Sequence, residues 1–490
     1  MRQLRASQDP APRIARSGLT LAGATVATQG ARLVRNVILA RLLAPDQFGL
    51  MALLLAVSSL FEAISDVGLR QSVIQNKRGD TDAFLNVAWW LGALRGVGLF
   101  LLGFMIAPWV GSFYEDASLA LLLRFAFLSV LFAGLTSPKL FVLERRLRFD
   151  RYVLVFHGSQ LGGTLVSLAA VVVLQNVWAL LIGFVSEAVL RCIVSFIVCP
   201  VKVRLHFEGH ALRELLLFAR RMIGLPVLTF VIRQADVFVL GKVCTKNELG
   251  MYALALALAY MPVSLFSRII EPLMLPVLSP LQDAPATLRR AATSMTRAIL
   301  AFGMPLVVYL TVFSQPLLSV TYGKAYGEMW TAFGLLCVYL LVWTGGAVIT
   351  MTYMALGRPD LHRRYAGIRA VAVAALMYPA TLKYGPVGAA GTLLVAFTIA
   401  IFLQLLNLAR LIDMPVRHYL ASMWPGLGLA GMLAIPALVV RLCWQGSDLW
   451  KVLLGAATCA TVWAITILQM RGRNGARSRD FFGLTALTHL

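Results

Sequence analysis

The chain has 490 residues, 59% hydrophobic and 13% charged, with 44 Lys and Arg against 22 Asp and Glu and a net charge of +22. Soluble domains carry about 25% charged residues, so the composition excludes an ordinary soluble enzyme. The positive excess would suggest nucleic acid in a soluble protein; in a membrane protein it reads as basic cytoplasmic loops, and no nucleic-acid partner is expected.

The N-terminal tail, 1–16, holds Arg2, Arg5, Arg13 and Arg16. The apolar run after it contains Arg32 and Arg35 and no clear cleavage site, so it reads as a first span instead of a signal peptide. Crossing ~30 Å of hydrocarbon takes roughly 20 apolar residues. Fourteen stretches qualify: 17–42, 49–69, 84–109, 118–138, 152–174, 177–200, 222–241, 249–278, 298–319, 330–356, 366–382, 386–409, 418–440 and 449–470. The stretch 366–382 is short, with Arg369 near its start.

Charge orients these spans. With the N-terminus inside, the cytoplasmic segments hold thirty of the 44 basic residues and the outer segments seven, namely Arg41, Lys242, Lys246, Lys324, Lys383, Arg441 and Lys451. A missed span would reverse this bias partway along, and it never reverses. Both termini are therefore expected in the cytoplasm. Residues 139–151 mix bases with Leu, Phe and Val, as an interfacial segment does. The six cysteines are scattered without zinc spacing, and neither a metal nor a cofactor is indicated.

Residues 23–56 match 224–257 without gaps at an offset of 201, with ten of 34 positions identical, among them Gly23/Gly224, Thr28/Thr229 and Arg32/Arg233. Six spans separate the copies, so both enter the membrane in the same direction. The pattern predicts an all-α polytopic fold: two parallel six-helix lobes around a central cavity, plus a C-terminal helix pair. The expected boundaries are an N-lobe over 17–205, a C-lobe over 206–411, an appended pair over 412–470 and a basic C-tail over 471–490.

Seven arginines lie within spans: Arg32, Arg35, Arg95, Arg124, Arg191, Arg233 and Arg268. Each costs about 2.5–3.5 kcal/mol at mid-bilayer, so each needs a partner, a wet cavity or the interface. Glu187 with Arg191, Arg233 with Asp236 and Arg268 with Glu271 have same-face helical spacing that suits structural pairing, although the repeat matches Arg233 to Arg32. Arg124 is near enough to a span end to snorkel. Arg32, Arg35 and Arg95 lack a close acid on their own helix, while Glu62 and Asp66 share a face of the second span. Arg32, Arg35, Arg95 and Arg233 are the candidate substrate-binding residues; Glu62, Asp66 and Asp236 are candidate charge partners or ion-coupling groups. A guanidinium is always charged and matches phosphate oxygens bidentately, so the implied cargo is anionic, most naturally phosphate or pyrophosphate; a lipid carrier's pyrophosphate combines that charge with a tail that can remain in the bilayer.

The segments NVILARLLAPDQFGLMAL (36–53), SDVGLRQSVIQ (65–75), PVLSPLQD (276–283) and GEMW (327–330) resemble landmarks of a known family. It is the polysaccharide transporters of the multidrug/oligosaccharidyl-lipid/polysaccharide exporter superfamily, comprising Wzx-type lipid-linked oligosaccharide flippases and exopolysaccharide exporters. The resemblance covers about residues 17–410. It implies alternating access and transfer of an undecaprenyl-pyrophosphate-linked repeat unit to the outer leaflet, for exopolysaccharide or O-antigen-type export. Membrane lipids, a polysaccharide polymerase and a chain-length regulator are the implied partners.

Several motifs carry no chemistry. Gly426-Leu-Gly428-Leu-Ala-Gly431 matches GxGxxG but lies within a span, where close helix packing explains it, as for Gly92–Gly96 and Gly158–Gly162. Asp80-Thr-Asp82 lacks a sugar-nucleotide domain around it, and His206 with His210 lacks further metal ligands. The chain is thus read as a transporter and not an enzyme. The rivals are a peptidoglycan-precursor flippase or ion-coupled drug exporter of the same fold, and a membrane-embedded glycosyltransferase or polymerase. A drug exporter would favour a carboxylate-dominated cavity, and a transferase would need a substantial catalytic loop.

Overall fold

The computed structural model describes residues 10–65, 68–146, 148–204, 208–222 and 225–473. They are almost wholly helical, with no strand among the described residues. The chain divides into two compact units, Met1–Phe230 and Val231–Leu490. The first unit contains α1 (Pro10–Leu42), α2 (Pro45–Ser65), α3 (Leu69–Gln75), α4 (Asp82–Phe113), α5 (Ala117–Leu135), α6 (Lys139–Arg145), α7 (Phe149–Leu174), α8 (Val177–Val198) and α9 (Gly209–Met222). The second begins within α10 (Leu225–Val243) and continues with α11 (Lys246–Ile269), α12 (Glu271–Leu278), α13 (Pro285–Val312) and α14 (Ser314–Thr321). It ends with α15 (Trp330–Ala355), α16 (Pro359–Leu411), α17 (Val416–Cys443) and α18 (Asp448–Arg473).

The chain is an all-α polytopic membrane protein. Among the described residues, eleven helices are long and apolar enough to cross a membrane. Two more, α1 and α10, are interrupted midway by charged residues and fall outside that count. The fourteen predicted spans map onto these thirteen helices because α16 folds back on itself once and supplies two. At Gly385 the backbone takes φ 55°, ψ −137°, a region open to glycine for want of a Cβ. Thr392 Oγ1 then reaches the Leu376 carbonyl at 3.5 Å, whereas a straight helix would hold residues sixteen apart about 24 Å from each other. The chain has reversed, and α16 is two antiparallel arms that account for the spans 366–382 and 386–409.

The internal repeat has a structural counterpart. Helix α1 ends at Leu42 and α10 at Val243; α2 begins at Pro45 and α11 at Lys246, so both breaks recur at the offset of 201. In α11 the start is fixed by a capping box: the Thr245 hydroxyl accepts from the Glu248 amide while the Glu248 carboxylate accepts from the Thr245 amide.

Small residues set the helix spacing within the first unit. A Cβ on Gly134 of α5 would lie 2.5 Å from the Gly92 carbonyl oxygen of α4. One on Gly183 of α8 would lie 2.4 Å from the Ser167 Cβ of α7. This is close backbone approach of the kind that associates helices in lipid. Gly183→Val is expected to force α7 and α8 apart and to lower stability by about 1–3 kcal/mol, read as a lower melting temperature in detergent. Gly98→Ala is the control, because nothing lies within 4 Å of a Cβ there; equal melting temperatures for the two variants would refute the packing argument. In α17, the Gly426 of the GxGxxG string faces Leu300 of α13, where a Cβ would come within 2.9 Å. Close packing thus accounts for Gly426, whereas a Cβ on Gly428 or Gly431 would meet nothing within 4 Å.

Short helices close one end of the first unit. α3, α6 and α9 gather around the first turns of α4, burying Val73, Phe84, Val142, Ala211 and Leu215. Arg70–Glu144, Arg78–Glu208, Arg146–Asp80 and Lys202–Asp82 ion pairs surround this cluster. The guanidinium of Arg146 beside Asp80 holds that carboxyl below the usual carboxylate range. Both acids of Asp80-Thr-Asp82 are therefore engaged structurally. His210 sits 3.2 Å from Glu214; His206 lies outside the described residues.

Candidate functional site

Each unit holds a basic cluster deep in its helices. In the first, α1 turns Thr28, Arg32 and Arg35 toward α7 and α8. The Thr28 hydroxyl lies 3.0 Å from Nδ1 of the buried His157 on α7, fixing the two helices in register. Arg32 Nη2 lies 3.9 Å from Glu187 Oε2 on α8, and Arg191 meets the other oxygen of the same carboxylate. Arg191 also stacks over the Phe156 ring at 4.6 Å. Arg35 donates to Asn36 Oδ1 at 3.0 and 3.2 Å and has Arg32 and Glu187 as charged neighbours. Glu187 thus stands among three guanidiniums, about 15 Å from either end of α8. It is mainly buried, while the Arg32 side chain remains 39% exposed.

Arg95 has a different environment. Its Nε donates to Ser65 Oγ at 3.0 Å and its Nη2 to the Glu62 backbone carbonyl at 2.9 Å. It caps the C-terminal end of α2, where helix carbonyls lack intrahelical donors and the dipole favours a cation. Glu62 supplies that contact through its main chain. Asp66 lies outside the described residues. Arg124 stacks over Phe104 at 4.4 Å.

In the second unit, Arg233 occupies the middle of α10, about 12–15 Å from both ends. It lies over the Trp343 ring at 4.8 Å and donates to the Tyr260 hydroxyl at 3.3 Å. Asp236, one turn on, faces elsewhere. Its Oδ2 accepts from the Tyr252 hydroxyl at 2.8 Å and its Oδ1 from the Val237 amide at 2.9 Å, with Asp236 and Tyr252 both fully enclosed. The helical spacing that suggested an Arg233–Asp236 pair is occupied instead by two separate arrangements. Around Arg233, Tyr339 and Trp343 of α15 and Phe397 of α16 form a connected aromatic cluster, with Arg369 stacked on Phe397 at 4.5 Å.

An apolar groove of about 460 Å³ runs between α11–α12, α13 and α15 in this unit. Its lining includes Pro262, Phe266, Leu273, Phe302 and Leu340, and its one hydroxyl, on Thr344, donates back to the Leu340 carbonyl at 2.7 Å. Nothing on its wall asks for a polar ligand. Such a surface suits hydrocarbon.

Sequence reasoning singled out Arg32, Arg35, Arg233 and Asp236, and the structure places each of them within a helix, about 10 Å or more from its nearer end. It did not connect Arg32 to Glu187, nor Arg233 to Arg369. Arg369 stood near the start of a short span and was counted with the loop before it. The Tyr339–Trp343 spacing of four residues within a span was the available signal for the aromatic cluster.

Comparison with known proteins agrees with this architecture. The family model described as "Polysaccharide biosynthesis protein" matches residues 38–331. The lipopolysaccharide biosynthesis protein WzxC of Escherichia coli (strain K12) is 24% identical over 430 residues, 85% of this chain and 84% of that protein. The succinoglycan biosynthesis transport protein ExoT of Rhizobium meliloti (strain 1021) is 22% identical over 348 residues, 70% of each. Among solved structures, the lipid II flippase MurJ in an inward closed conformation superposes with a TM-score of 0.75 at 17% identity, covering 93% of this chain and 99% of that one. An inward-facing multidrug resistance MATE family transporter gives 0.60 at 13% identity, covering 80% and 99%. The two structures share its transporter fold.

Proposed function

The chain belongs to the polysaccharide biosynthesis protein family, and from that membership we propose that it flips an undecaprenyl-pyrophosphate-linked oligosaccharide across the bacterial cytoplasmic membrane for polysaccharide export. The observation that carries this reading is the pair of basic clusters set within the helices away from their ends, in which arginines outnumber the acids that could neutralise them. Arg32, Arg35 and Arg191 share Glu187, and Arg233 rests on aromatic rings. Charge left over at that depth favours an anion, and planar guanidinium forks fit pyrophosphate oxygens.

In the proposed cycle, Arg32, Arg35 and Arg233 attract the pyrophosphate and the sugars occupy the wet space beside them. Glu187 holds Arg32 and Arg191 in place between cargoes. The prenyl tail stays in hydrocarbon, for which the apolar groove of the second unit is suited. Arg95 is a further cargo contact in this cycle and also anchors the end of α2. Asp236 is the acid best placed to take up a coupling ion or proton, being enclosed and held by a tyrosine; Glu62 and Asp66 are the other candidates. Access would alternate between the faces with both termini cytoplasmic, over lobes at 17–205 and 206–411 and an appended pair at 412–470. A polymerase and a chain-length regulator would act on the delivered units.

A peptidoglycan-precursor flippase is the second reading, favoured by the likeness in fold to MurJ. One experiment separates the two. Depleting the protein should stop polysaccharide export and accumulate undecaprenyl-pyrophosphate-linked repeat units in the cell, with peptidoglycan precursors unchanged. Accumulation of lipid-linked peptidoglycan precursor instead would select the second reading, and accumulation of neither would reject both.

A further inference from the structure

We infer that Arg369 joins Arg233 in a single oxyanion site, built on one aromatic platform in the second unit, that takes the diphosphate of a lipid-linked ligand. This rests on the reading of the chain as a carrier of such a lipid, and it adds a binding residue that the position of Arg369 in the sequence does not suggest.

The two guanidiniums are seated on rings that touch one another. Arg233 lies 4.8 Å from the Trp343 centroid and Arg369 lies 4.5 Å from that of Phe397. Trp343 and Phe397 are 5.9 Å apart, and Tyr339 packs edge-on against Phe397 at 4.7 Å. Tyr260 closes the other side of Trp343 at 5.7 Å.

Stacking leaves the hydrogen-bonding capacity of these groups unused. A ring face stabilises a cation through its quadrupole, but it accepts few of the five N–H bonds that lie in the guanidinium plane. Arg369 Nε is buried with no hydrogen-bond partner, and Arg233 donates one long bond to Tyr260. Among the described residues no carboxylate lies within ion-pairing distance of either arginine, and Asp236 is committed to Tyr252 and Val237. The arrangement is two fixed cations with open donor edges. Its complement is a ligand with several anionic oxygens, and a diphosphate offers oxygens to two forks at once.

Depth supports the same ligand. Arg369 lies about 15 Å along the first arm of α16 and Arg233 about 12 Å from the start of α10, so neither is a surface base at a helix end. Tyr339 and Phe397 are buried, whereas Arg233 is exposed and Trp343 half-buried. The platform therefore has a closed back and an open front.

Binding to the full-length protein in lipid nanodiscs tests the site, with undecaprenyl pyrophosphate and undecaprenol as the two probes. Arg369→Gln should weaken undecaprenyl pyrophosphate binding about tenfold, the loss of one charge-assisted contact, and leave undecaprenol binding unchanged. Arg369→Lys should recover part of the affinity, keeping the charge without the fork. Combined with Arg233→Gln, the losses should be non-additive, as for two contacts to one group. Wild-type affinity in Arg369→Gln alongside weakened binding in Arg233→Gln overturns the role of Arg369 while sparing the carrier reading. If wild-type protein binds the two probes equally, the carrier reading itself fails. Should Arg369→Gln not fold, Phe397→Leu removes the seat of the guanidinium and is read in its place: weaker pyrophosphate binding supports the site and unchanged binding overturns it.

Discussion

Cells carrying Arg32→Ala together with Arg233→Ala are expected to lose polysaccharide export and to accumulate the lipid-linked intermediate. The two arginines match across the internal repeat; Arg32 lies about 15 Å from the C-terminal end of α1 and Arg233 occupies the middle of α10. Each supplies charge-assisted donors, worth about 1.5–3 kcal/mol apiece against an oxyanion. Two such losses correspond to roughly a hundredfold to ten-thousandfold in cargo affinity, at about 1.4 kcal/mol per tenfold. The Arg32 side chain is 39% exposed and Arg233 is exposed, so neither is part of the packed interior and alanine should leave the fold intact. Quantifying exported polymer and intracellular intermediate in the same cultures decides the matter: normal export with no accumulation would remove both residues from the site.

Glu187→Gln should act mainly on stability. The carboxylate meets Arg32 at 3.9 Å and Arg191 more closely, and it neighbours Arg35. Removing it leaves three guanidiniums repelling one another among α1 and α8. Breaking a fully buried ion pair costs about 3–5 kcal/mol; the partial exposure of Arg32 and Arg191 screens part of that, giving about 1–3 kcal/mol. A lower melting temperature in detergent is the expected result, with partial recovery in the Glu187→Gln/Arg191→Gln double variant because one repelling charge is gone. Equal melting of Glu187→Gln and wild type would mean that solvent or lipid headgroups neutralise the cluster.

The legible and illegible parts divide along range. Spans were readable because a membrane helix must be apolar for its whole length. Even the weak span at 366–382 survives, as one arm of a hairpin that turns at Gly385. The repeat was readable too, and its helix breaks recur at the same offset. Partnerships were not. Helical spacing suggested Arg233 with Asp236, yet Asp236 reaches a tyrosine on α11 and Arg233 reaches aromatic rings on α11 and α15. Arg95 could be assigned no acid from its own helix, and it turns out to cap α2 through a backbone carbonyl, a group that every residue carries and no sequence pattern marks.

By itself the sequence determined the solvent this protein lives in, its helical class, its internal duplication and the presence of arginines at depths where charge is costly. Those properties follow from composition and period, which are local and additive along the chain. Only the tertiary structure decided which arginines are neutralised and which are left with open donors. That depends on which side chains meet across helices tens or hundreds of residues apart: Glu187 against Arg32, and Phe397 against Arg369. The positive excess is one number in the composition, and its chemistry belongs to the few arginines that folding leaves without a matching acid.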